Sequence, residues 1–101
     1  MIRLQVVERG DAHLMSVLKE DMRSGSLKTL MLEGRGGSRV KHKKYKGWMN
    51  WRSGGGVLHC EIHSRREGAE WQFLRSVVGR LSSRYSGLVQ SINIQFPGTR
   101  D

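Results

Sequence analysis

The chain has 101 residues, a formal net charge of +9, one cysteine and one proline. A chain of this length builds one hydrophobic core, because two separate domains would each bury too little apolar surface; residues 1–101 are therefore expected to form a single domain. The apolar fraction of 37% lies above that of chains that stay disordered, and no stretch nears the roughly 20 apolar residues of a membrane helix. Met1-Ile2-Arg3-Leu4 lacks the apolar core of a signal peptide, and a lone cysteine cannot form an internal disulfide. A cytoplasmic protein with no membrane partner is expected.

Ile2–Val7 alternates apolar and polar residues and then ends apolar, the pattern of a half-buried strand. Gly10 breaks it and Asp11 is placed to cap a helix whose apolar face is Leu14, Val17, Leu18 and Met22; Ser24-Gly25 ends that helix. Ser26–Glu33 reads two ways. Leu27, Leu30 and Met31 suit a helical turn capped by Ser26, and Leu30-Met31-Leu32 suits a short buried strand. The glycines at 34, 36 and 37 then form a loop. Arg39–Trp51 is rich in aromatic residues, valine and lysine, and Ser53-Gly54-Gly55-Gly56 is a turn. Val57–His63 alternates, with Leu58, Cys60 and Ile62 on one side and His59, Glu61 and His63 on the other. The two segments are expected to pair as a β-hairpin.

After Glu67-Gly68, Trp71, Leu74, Val78, Leu81 and Tyr85 recur at helical spacing, with Val77 beside them, so this stripe is the expected core face of a long helix. Arg75, Arg80 and Arg84 fall off it, and Gly87 ends the helix. Leu88–Phe96 is a final strand closed by Pro97, with Ile92, Ile94 and Phe96 on one side.

The order predicts an α+β fold, a mostly antiparallel sheet with two helices on one face. It is the β-α-β-β-α-β order of ferredoxin-like domains, or that order with one extra strand if residues 26–33 are extended. The other sheet face is left open for binding or dimerisation.

Charge is concentrated in one place. Between Gly34 and Cys60 there is no acidic residue and there are seven basic ones; the rest of the chain is nearly balanced, with eleven basic against nine acidic. This region, centred on residues 34–56, is read as a basic hairpin arm. Arg39, Lys41, Lys43, Lys44, Lys46 and Arg52 would contact phosphates. Tyr45 and one of Trp48 and Trp51 would stack on bases, since residues three apart on a strand have opposite parity and one of the two belongs to the core. Lys46-Gly47-Trp48 resembles the opening of the RNP1 strand of RNA recognition motifs, but Met49 and Asn50 leave that pattern and Ile2–Val7 has no second aromatic platform. No family is assigned on it. Gly34-Arg35-Gly36-Gly37-Ser38 could cradle a phosphate with backbone N–H groups, but lacks the context of a P-loop and reads as a flexible connection.

His59, Glu61 and His63 share one strand face. They are the candidates for acid–base work on a phosphodiester, and with His42 they form a weaker candidate set for a metal. Cys60 reads as a buried thiol. No cofactor or resident metal is expected. Three functions remain open: a nucleic-acid-binding module favouring RNA or single strands, a homodimeric structural or partner-binding protein whose basic edge serves only protection, and a small metal-independent nuclease.

Overall fold

The structure, a computed structural model, describes residues 1–66 and 68–97. In chain order it contains β1 (Ile2–Glu8), α1 (Leu14–Ser24), β2 (Leu30–Glu33), β3 (Arg39–His42), β4 (Trp48–Gly54), β5 (Val57–His63), α2 (Ala69–Arg84) and β6 (Val89–Gln95). The six strands form one antiparallel sheet in the order β2-β3-β4-β5-β1-β6. The fold is α+β. Neither the four-stranded ferredoxin-like sheet nor that sheet with one extra strand forms: residues 26–33 contribute β2, and residues 39–51 supply two strands, β3 and β4, instead of one, giving six.

Parity divides the sheet. Ile2, Leu4 and Val6 of β1, Val40 of β3, Met49 and Trp51 of β4, and Leu58, Cys60 and Ile62 of β5 are buried in one cluster with Leu14 and Leu18 of α1 and Phe73, Leu74, Val77 and Leu81 of α2. Burial of so many aliphatic and aromatic side chains, each contributing roughly 1.5–3 kcal/mol, drives the packing of both helices onto this side. Burial pushes the Cys60 thiol up to about 12, which makes it a small apolar core residue and a poor nucleophile.

Three expectations are corrected. Asp11 does not cap α1. The residue before the helix is His13, in the left-handed region at φ 52°; the buried Glu8 carboxylate, reaching across six residues, accepts the Leu14 N–H at 3.1 Å, where a negative charge also suits the helix dipole. Arg39–Trp51 is not one strand. Residues 43–47 turn between β3 and β4, so the basic arm belongs to two hairpins. Trp71 is not core: it is 52% exposed, and the fully buried aromatic of α2 is Phe73, two residues on. A strong apolar stripe at i, i+3, i+4 does not specify which edge of the stripe faces inward.

The Gly34–Ser38 loop is packed in place. Gly37 is buried with φ 71°, its carbonyl oxygen accepts the Trp51 indole N–H at 2.7 Å, and the Gly36 carbonyl accepts Lys19 Nζ at 2.9 Å.

Candidate nucleic-acid interface

The face of the sheet without helices carries Arg39 and Lys41 from β3, Trp48, Asn50 and Arg52 from β4, His59, Glu61 and His63 from β5, and Arg3 and Gln5 from β1. Strand register arranges them in rows. One row runs Met31, Lys41, Trp48, His63; the next runs Glu33, Arg39, Asn50, Glu61, Arg3, Gln95. The second row alternates in charge. Glu33 lies 3.7 Å from both Arg39 and Lys41, and Glu61 lies 3.6 Å from Arg3. All these groups are about half exposed, so each pair contributes about 0–1 kcal/mol. Their use is to fix where charge sits on the face.

The first row holds the flat surface. The Trp48 and His63 rings are stacked, with centroids 5.4 Å apart and planes 14° from parallel. The Arg39 guanidinium carbon sits 5.7 Å from the Trp48 ring centroid, within cation–π range. Around this stack Arg39, Lys41, Lys46, Gly47, Trp48, Ser64, Arg65 and Arg66 line an open groove of about 510 Å³. Among the described residues five of the eight that line it are cations, and the Glu33 carboxylate reaches two of them, Arg39 and Lys41.

Gly47 holds the groove together. Its φ is 117°, and a Cβ there would run into the His63 carbonyl oxygen. Only glycine lets the β3–β4 turn lie this close to the end of β5, and that approach sets Lys46 beside Arg65 and Arg66. The turn is fixed from its other side by His42, which points among the helices. Its Nδ1 accepts the backbone N–H groups of Lys44, at 3.0 Å, and Tyr45, at 3.3 Å. The proton is thereby assigned to Nε2, which lies 2.7 Å from Ser76 Oγ of α2 and donates to it. Burial, then Lys44 and Arg80, hold the His42 pKa below its ordinary value.

The twelve residues singled out in sequence therefore separate. Arg39, Lys41, Lys46 and Trp48 meet in the groove, and His63 stacks on Trp48 beside it. Lys43, Lys44 and Tyr45 form the turn, with Tyr45 tilted against the His42 ring at 4.7 Å and Lys44 Nζ 5.5 Å from the tyrosine ring. Trp51 is 6% exposed and donates to Gly37, so it drops out as a stacking surface. Arg52 and His59 are register partners further along the open face, lining a second shallow groove with Arg3, Gln5, Asn50, Glu61 and Gln95. His63 Nε2 is 3.4 Å from Glu61 Oε1, a long contact, while His59 stands one row away. His42 lies on the opposite side of the sheet from all three, so the four-residue metal set does not assemble. Among the described residues no three His, Cys, Asp or Glu side chains are grouped to hold a metal ion.

Arg65 and Arg66 were not anticipated from sequence, because the acid-free window ends at Cys60. Register would have found them: a tight turn at Gly55-Gly56 pairs Trp48 with His63, and the residues after His63 then lie beside Gly47. No family model, curated protein or solved structure matches the chain. No helix is long and apolar enough to cross a membrane among the described residues.

Proposed function

We propose that the chain is a small binding module for single-stranded nucleic acid, taken up along the groove at Trp48. The observation that supports it is the cluster of Arg39, Lys41, Lys46, Arg65 and Arg66 around the stacked Trp48–His63 pair. Lysine and arginine release counterions from phosphates. Aromatic side chains stack on bases at roughly 1–3 kcal/mol each, with little sequence preference. The groove is an open strip with one stacking platform, which suits an unpaired strand better than a duplex whose bases face inward. Lys43 and Lys44, on the adjoining turn, extend the positive field. The lone thiol is buried, in keeping with a reducing cytoplasm where RNA and single-stranded DNA are met.

The test is anisotropy of a labelled mixed-sequence oligonucleotide, as RNA and as DNA, titrated at several salt concentrations. Affinity should fall with a log–log slope of about −0.7 for each phosphate neutralised. Changing Arg65 and Arg66 together to alanine should flatten that slope by about 1.4. Absence of binding at low salt, or a slope near zero, would sink the proposal and leave the lysines as edge protection.

A further inference from the structure

The groove at Trp48 supplies cations and a ring, which hold phosphates and stack bases without telling one base from another. The open face continues beyond it. Arg39, a wall of that groove, pairs in register with Asn50, and Asn50 pairs with Glu61. Asn50 and Glu61 belong to a second open groove, of about 530 Å³. Its floor is the buried residues Leu4, Trp51 and Cys60, whose side chains turn towards the helices. Among the described residues every side chain that stands up from that floor is polar, and only one, Glu61, is a carboxylate.

A carboxylate repels a phosphate, so this spot on the face suits something other than the backbone of a nucleic acid. The contacts Glu61 makes within the chain are slack. Its Oε1 is 3.4 Å from His63 Nε2 and its Oε2 is 3.6 Å from Arg3 Nε, too long for strong hydrogen bonds. The side chain is 44% exposed, and both oxygens are open to donors from a ligand. Donors flank it in register, Asn50 on β4 and Arg3 on β1, with cross-strand Cβ atoms roughly 4.5–5.5 Å away. In the next row the Gln5 carbonyl oxygen is already engaged, accepting Asn93 Nδ2 at 3.1 Å. The site is thus a two-oxygen acceptor with a donor on either side.

We propose that this second groove reads a guanine base, in a strand whose adjoining nucleotide is held at Trp48; the inference rests on the binding reading given above. His63, which stacks on Trp48, lies two residues from Glu61 along β5, roughly 7 Å. A strand seated at the ring therefore meets the carboxylate with its next nucleotide. Unpaired bases offer their Watson–Crick edges to side chains. The edge of guanine presents two neighbouring donors, N1–H and the 2-amino group, beside the O6 acceptor. Glu61 accepts both donors, and Asn50 or Arg3 donates to O6. Each of the other bases sets a lone pair against the carboxylate: N1 of adenine, N3 of cytosine, O2 or O4 of uracil. Selection comes as much from that repulsion as from the fit of guanine.

Anisotropy with uridine-rich strands that differ only at one central position tests this. The strand with guanine should bind the native chain about tenfold more tightly than the same strand with adenine or cytosine, within the range of a bidentate base contact. Inosine, which lacks the 2-amino group, should lose most of that advantage. Glu61→Gln replaces one acceptor oxygen with a donor at an exposed position. That variant should bind all the strands alike, and the adenine strand at least as tightly as the native chain does, because a negative charge has left the face. A guanine preference that survives Glu61→Gln overturns the proposal. So does equal affinity of the native chain for every strand, which leaves the Trp48 groove as a site blind to sequence. Failure to bind any strand at low salt refutes the Trp48 reading itself, and this one with it.

Discussion

The two faces of β4 carry the same chemistry to opposite ends. Trp51 and Trp48 are three residues apart, and each sits near a histidine-bearing strand. Trp51 is sealed under the helices, its indole N–H spent on the Gly37 carbonyl oxygen. Trp48 lies on the open face against His63, ringed by cations. The histidines divide the same way. His42 is a buried acceptor that organises a turn, and His63 is a half-exposed stacking surface. What separates the members of each pair is parity on the strand, not residue type. A basic aromatic segment therefore has to be split by face before any of it is assigned to a ligand.

Four measurements break or sharpen this contrast. The largest effect is expected in the core. Trp51→Ala should lose about 3–5 kcal/mol in urea unfolding, whereas Trp48→Ala should stay within about 1 kcal/mol of the native chain; equal losses would erase the distinction between the faces. For oligonucleotide binding the order reverses. Trp48→Ala should weaken affinity by about 1–3 kcal/mol, and Trp48→Phe should recover most of it, because a ring face is what the site requires.

The third measurement concerns His42. Its pKa is depressed in the fold, so the neutral ring is favoured there while the unfolded chain takes up a proton near the ordinary histidine value of about 6.5. Stability from this group is complete above that pH and declines as pH falls below it towards the lower folded value. The decline should be absent in His42→Gln, and its persistence there would assign it to another group. The smallest effect is electrostatic. Glu33→Gln releases Arg39 and Lys41 and should tighten oligonucleotide binding by about 0.2–1 kcal/mol at low salt, a gain that screening removes as salt rises. No change at low salt would mean that Glu33 does not shape the groove.

Much of the architecture is legible in local pattern. β1, β5 and the β4–β5 hairpin follow from strict alternation and a glycine turn, and α1 from its Leu14–Leu18–Met22 spacing. The α+β class follows from the order of those elements. Local pattern also determined that one tryptophan of Trp48 and Trp51 would be buried, because period two leaves no other choice. Residues 26–33 were undecidable, since four apolar residues suit a strand or a helical turn equally and the partner strand β3 is what makes them extended. Phe73 takes the core place expected of Trp71 because the direction of the apolar stripe depends on where α2 lies over β1 and β5. The groove itself is a tertiary product. It draws on β3, the turn at Gly47, β4 and the residues after β5, brought together by antiparallel register and by one glycine that tolerates the His63 carbonyl. The concentration of charge between Gly34 and Cys60 was written in the chain; which of those charges stand around a ring face was decided by packing.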